Sequence, residues 1–108
     1  MRLTEPKGLH GVETRGSVGN VALGGGYLYI YSGNTLLHIA SIPSPNLLGG
    51  SNRDTEVENH DEFTDEKGNT YVISIFSSAA GIYWELEKYP QEQKVLKQLR
   101  YEVKLNEY

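Results

Sequence analysis

Residues 27–40 read YLYIYSGNTLLHIA, two apolar runs on either side of the pair Gly33-Asn34. Glycine at the first position of a two-residue loop, between two such runs, is typical of a β-hairpin. Side chains of a strand point alternately to opposite faces, so the position of the loop decides which residues share a face. This segment therefore predicts a hairpin, and it limits the fold class more than any other part of the chain.

The predicted loop gives the two strands a register in which Tyr31 lies opposite Leu36 and Tyr29 opposite His38. One face of the hairpin is then entirely aliphatic, and we expect it in the core: Leu28, Ile30, Leu37 and Ile39. The other face has aromatic rings with polar tips and mixed neighbours: Tyr27, Tyr29, Tyr31, Leu36, His38 and Ala40.

Alternation predicts further strands on both sides of the hairpin. Before it, residues 12–18 and 18–23 are two short candidates. After it, three strands form a meander, and we expect its middle turn to hold Gly68 in the left-handed conformation. The meander strands cover 56–64, 70–77 and 82–88. The tail is ambiguous between helix and strand, and we favour a short helical turn near 90–97 followed by a strand from Leu99.

Short alternating strands without a long helical period predict an all-β fold. We expect a small single-domain barrel or sandwich of six to eight mostly antiparallel strands built from hairpins. The single domain covers residues 1–108, a length sufficient for one core. Proline and glycine without periodicity predict an irregular N-terminal arm over 1–11 and a long loop over 43–56.

Composition excludes several classes of protein. The chain has no cysteine, so it holds neither a disulfide nor a thiolate metal site. Its net charge of −4 disfavours binding to a nucleic-acid backbone, and we expect no nucleic-acid partner.

We see neither a signal peptide nor an apolar run long enough to span a membrane, which predicts a cytoplasmic or intracellular protein without a membrane partner.

The tyrosine side of the hairpin is the first candidate site. Either a second sheet covers it, or it remains exposed and binds a protein partner, of which a second copy in a two-fold homodimer is one form. Residues 24–42 contain no lysine or arginine, which disfavours single-stranded nucleic acid. The apolar pair Leu47-Leu48 in the otherwise polar 43–56 loop suggests a second contact point for the same partner. The predicted partner-binding residues are Tyr27, Tyr29, Tyr31, His38, Leu47, Leu48 and Arg53.

An acidic run is the second candidate, because Glu56, Glu58, His60 and Glu62 share one face of their strand. Carboxylates and imidazole suit a divalent cation or acid–base chemistry. Side chains on one strand, however, stand in a row about 7 Å apart, too far for one ion to gather alone. We favour a solvated acidic edge that discourages strand addition, and we expect no metal and no cofactor.

Sequence motifs for catalysis do not stand out. No G-x-S-x-G elbow is present, and residues 24–26 are not followed by the Gly-Lys-Ser/Thr of a phosphate loop. We therefore expect no catalytic residues and no enzymatic activity. The predicted function is a small interaction or assembly protein, either a structural component or an inhibitor. The alternative is a small-ligand-binding or metal-dependent enzyme in a β-barrel that uses His38, His60 and nearby carboxylates.

Overall fold

The structure is a computed structural model that describes residues 2–4, 14–19, 25–45 and 56–106. These ranges contain eight strands and a short helix: β1 (Arg2–Thr4), β2 (Arg15–Val18), β3 (Gly26–Ser32), β4 (Thr35–Ile42), β5 (Val57–Thr64), β6 (Thr70–Ser78), β7 (Gly81–Lys88), α1 (Gln93–Lys97) and β8 (Leu99–Leu105). Each pairing between them is antiparallel. Sheet 1 has the order β1-β8-β3-β4 and sheet 2 the order β2-β7-β6-β5. The predicted all-β class is confirmed, as two facing sheets rather than a closed barrel.

The hydrophobic core lies between the two sheets and draws on both. In β7 and β8 every second side chain points into it, as alternation predicts. The Trp84 ring of sheet 2 is fully buried and meets the Tyr101 ring of sheet 1 at a centroid distance of 5.5 Å. Each large apolar side chain buried this way contributes about 1.5–3 kcal/mol to stability, so this layer holds the sheets face to face.

The helical turn predicted near 90–97 is confirmed as α1, and β8 begins at Leu99 as expected. Five residues are too few for a helix that is stable alone, so packing of the buried Leu96 against the core holds α1 in place. After α1 the chain continues as β8, which pairs with β3 of the hairpin. Just before β8 begins, the Gly33 N–H donates to the Gln98 carbonyl at 2.8 Å. No helix in the described part of the chain is long and apolar enough to cross a membrane.

The predicted hairpin loop is confirmed, because Ser32 pairs with Thr35 and Gly33 has a φ of +58°. The predicted pairing of Tyr31 with Leu36 is also correct, but the register differs from prediction beyond it. A β-bulge in β4 leaves Leu37 without a partner, and Ile30 then pairs with His38. One extra residue reverses the side of every later side chain on that strand.

The bulge corrects the predicted faces of the hairpin. Leu28 and Ile30 are buried as expected, and Leu37 packs partly against the core. The prediction that Ile39 is a core residue is wrong, because Ile39 pairs with Tyr29 and is 43% exposed. Ala40 takes its place in the core with an exposure of 0%.

Two other segments differ from expectation or lie partly outside the described residues. The predicted irregular arm contains β1, whose Arg2 pairs with Leu105. Within the predicted 43–56 loop, residues 43–45 and 56 are not in strands, and residues 46–55 lie outside the described ranges. Of the two early strand candidates, the first is represented by β2, and most of the second also lies outside those ranges.

Candidate interaction surface

Sheet 2 packs on one side of sheet 1, and the tyrosines lie on the other side. Sheet 2 therefore does not cover them. Alternation along β3, β4 and β8, with the bulge included, collects nine side chains on this outer side, which we call the tyrosine face. The tyrosine face consists of Tyr27, Tyr29, Tyr31, Leu36, Ile39, Ser41, Arg100, Glu102 and Lys104.

Two cations from β8 lie over the tyrosine rings of β3. The Lys104 Nζ is 4.2 Å from the centroid of the Tyr29 ring, and the Arg100 Cζ is 4.1 Å from that of Tyr31. Such cation–π contacts contribute about 0.5–1 kcal/mol each at exposed sites. The Arg100 guanidinium also donates to Glu102 Oε1 at 2.8 Å and to the Gly33 carbonyl at 2.9 Å. The Tyr29 and Tyr31 rings are thus held in place by contacts within the sheet.

Neither cation was predicted from the sequence of the hairpin. Residues 24–42 contain no lysine or arginine, and both cations come from the far end of the chain. The alternation of residues 99–105 did place Arg100, Glu102 and Lys104 on one polar side of a strand. Only the pairing of β8 with β3 shows that this side continues the row of tyrosines.

The structure brings some of the predicted site residues together and separates others. Tyr27, Tyr29 and Tyr31 form one row on β3. The placement of His38 on their side of the hairpin is wrong, because the bulge turns it to the core side of β4, opposite Ile30. The remaining predicted residues lie outside the described ranges: Leu47, Leu48 and Arg53.

His38 belongs instead to the seam between the two sheets, where β4 meets β5. Its Nε2 donates to Asp61 Oδ2 at 2.6 Å, and its ring stacks on Phe63 at 4.8 Å. Close by, the Asn59 amide donates to the Ser41 carbonyl at 2.9 Å. His38 is half-buried and its contacts connect β4 to β5. Its side chain is not part of the tyrosine face.

The outer side of sheet 2 is predominantly acidic, and we call it the acidic face. At its centre the Phe76 and Tyr83 rings stack at 4.6 Å. Burial, a hydrogen bond to Glu56 and nearby carboxylates raise the pKa of Tyr83. The charged side chains of this face are five carboxylates and two cations: Glu56, Glu58, Glu62, Glu85, Glu87, Arg15 and Lys88. The predicted acidic run is confirmed as β5 and the residue before it, with Glu56, Glu58, His60 and Glu62 exposed.

His60 also lies on the acidic face, in a chain of hydrogen bonds. Ser74 Oγ donates to Glu87 Oε1 at 2.7 Å. A hydroxyl has only one proton, and that of Ser74 goes to Glu87. His60 Nδ1, 2.7 Å from Ser74 Oγ, must therefore be the donor to that hydroxyl oxygen. Ser74 is fully buried and its proton is already engaged, so this serine–histidine pair lacks the accessible hydroxyl that a nucleophile needs.

The histidines of the alternative enzyme hypothesis do not converge. His60 points to the outer side of β5, whereas His38 reaches Asp61 on the inner side of the same strand. Among the described residues, no group of three or more histidine, aspartate or glutamate side chains is placed to hold a metal ion. The geometry therefore adds no support to a site built on these two residues.

Comparison with known proteins finds no match for this chain among protein-family models, curated proteins or solved structures.

Proposed function

We propose that this protein is a non-enzymatic interaction or assembly protein that acts through the tyrosine face. The supporting observation is an apolar centre that the fold itself does not use. Tyr27, Leu36 and Ile39 are 39%, 44% and 43% exposed, although the other side of the same sheet already supplies the core. Clustered apolar area of this kind, bordered by charge, is characteristic of protein interfaces.

The chemistry of the tyrosine face also suits binding. Tyrosine and arginine are the residue types that most often dominate interface energies. Tyr29 and Tyr31 are each held by a cation, so binding has less conformational entropy to remove. Both a structural component and an inhibitor work by occupying a surface in this way.

Protein is a better partner for this surface than nucleic acid. Single-stranded nucleic acid stacks on tyrosines and needs nearby cations, and Arg100 and Lys104 meet part of that need. Glu102 lies between them, however, and the whole chain has a net charge of −4, so a phosphate backbone is repelled overall. A protein partner can place apolar side chains against the exposed apolar centre and only a few carboxylates near its edge, whereas a phosphate backbone carries a charge at every nucleotide.

Affinity capture with a matched pair of variants tests the proposal. The immobilised chain is incubated with lysate from its native cell, in parallel with a Tyr27→Ser/Ile39→Ser double variant and an Asn34→Ser/Glu92→Ser control. The control changes two exposed residues outside the tyrosine face. We expect the double variant to lose about tenfold or more of the specifically captured protein, and the control to retain it. Equal capture by all three, with unchanged melting temperatures, would contradict the proposal.

A further inference from the structure

The exposed large apolar side chains of the described residues lie on two opposite sides of the molecule. Tyr27, Leu36 and Ile39 lie on the tyrosine face. Tyr83, which is 42% exposed, lies at the centre of the acidic face and stacks on Phe76. Each outer side of the fold thus has an apolar patch that the core does not use.

The charges around these two patches differ in sign. On the tyrosine face, Arg100 and Lys104 outnumber the single carboxylate of Glu102. On the acidic face, five carboxylates outnumber two cations. An apolar centre surrounded by one sign of charge is complementary to an apolar centre surrounded by the other.

We infer that a second copy of this chain occupies the tyrosine face with its acidic face, head to tail. The inference rests on the proposed function, because it names the occupant of the proposed surface. A two-fold pairing of tyrosine faces would bring the cations of both copies onto one small surface. Head-to-tail contact instead sets Arg100 and Lys104 against carboxylates.

Head-to-tail contact leaves one unused face of each kind at the ends of every dimer. The same contact therefore repeats, and the assembly grows into a closed ring or an open filament. Sheet would pack on sheet across each contact, as it does inside the domain. The tyrosine face spans three strands, about 15 by 25 Å, which is at the low end of interface sizes, so we expect weak association that builds up with concentration.

Sedimentation equilibrium of the full chain with two singly damaged variants tests this arrangement. Ile39→Asp damages the tyrosine face, and Tyr83→Asp damages the acidic face. Over about 10 μM to 1 mM, we expect the mean mass of the unmodified chain to rise and each variant alone to stay monomeric. An equimolar mixture of the variants should form 1:1 dimers and stop, because it contains one intact pair of complementary faces. The two damaged faces both carry a new carboxylate, so they repel each other.

Matched controls separate a lost contact from a lost fold. Asn34→Asp adds the same charge in the hairpin loop, outside both faces, and should assemble like the unmodified chain. Thermal unfolding checks that every variant is folded. If Tyr83→Asp unfolds, Glu58→Lys tests the acidic face instead, since that side chain is 54% exposed, and it should be monomeric alone.

Three outcomes would overturn the inference. The first is a single monomer mass for the unmodified chain over the whole range. The second is a Tyr83→Asp variant that dimerises like the unmodified chain, which would indicate two-fold pairing of tyrosine faces. The third is that the chain is a monomer that binds oligothymidine and that the Lys104→Ala variant no longer binds it. In each case the affinity capture described above is a separate readout, so failure of head-to-tail assembly and failure of the proposed function are distinguishable.

Discussion

At the scale of single residues, Tyr71 connects a hairpin loop to the core. Its ring is almost fully buried and stacks on Phe63 at 4.8 Å, while its hydroxyl donates to Asp65 Oδ2 at 3.1 Å. Asp65 also accepts from the side-chain amide of Asn69 and from the backbone N–H groups of Asn69 and Lys67. Burial opposes ionisation of Asp65, but these donors together hold the pKa of its carboxyl below the usual 3.8. One carboxylate thus orders the turn that contains Gly68, whose φ of +85° agrees with prediction.

Tyr71 also predicts how stability depends on pH in alkaline solution. Burial, together with the Asp65 carboxylate, raises the pKa of Tyr71 from 10.0 to about 12. Between these values the folded chain binds more protons at this site than the unfolded chain. The free energy of unfolding therefore falls as pH rises above about 10, and the full contribution is present below that pH. Urea denaturation from about pH 8 to 11 should show this fall, and Tyr71→Phe should flatten it. An equal slope in both proteins would contradict the assignment.

At the scale of secondary-structure elements, the bulge in β4 decides which residues of the hairpin stabilise the fold. Ile30→Ala removes a fully buried side chain and should lower the free energy of unfolding by about 2–5 kcal/mol. Ile39→Ala removes an exposed side chain from the same hairpin and should cost less than about 1 kcal/mol. Urea denaturation of the two variants gives the comparison. Equal losses would mean that the strands pair as alternation alone predicts, without the bulge.

β8 shows how one strand serves both the core and the tyrosine face. Leu99, Tyr101 and Val103 are buried, which made the core side of this strand readable from its alternation. Arg100 and Lys104, on the other side, acquire their role only through the neighbouring tyrosines of β3. Which residues lie beside the polar side chains of a strand is known only once the order of strands in the sheet is known.

At the scale of the whole molecule, the seam between β4 and β5 joins the edge strands of the two sheets. His38→Phe should keep the stacking on Phe63 but remove the side-chain donor to Asp61 Oδ2, and Asp61→Leu should remove the acceptor of His38 Nε2. Because the two side chains are 26% and 36% exposed and can be hydrated when unpaired, we expect each change to cost about 0.5–1.5 kcal/mol of unfolding free energy. In the double variant the cost should be at least about 0.5 kcal/mol smaller than the sum, as measured by a double-mutant cycle in urea. Additive losses would show that the pair does not couple the sheets.

Local rules of the chain were enough for much of this fold. The alternation of residues 82–88 and 99–105, the glycine at position 33 and the absence of a helical period were enough to predict the all-β class, the hairpin loop and the apolar side of β7 and of β8. Steric preferences of a few neighbouring residues decide these features. The three tyrosines were placed on one side of β3 for the same reason.

The tertiary structure alone decided what the tyrosines have as neighbours. The bulge moved Ile39 onto their face and His38 off it, because it adds one unpaired residue to one strand. The pairing of β3 with β8 brought Arg100 and Lys104 over the rings from about 70 residues away. The choice between open sandwich and closed barrel was settled at the same level. Bulges and sheet order depend on how the whole core packs, which the local pattern of a strand does not encode.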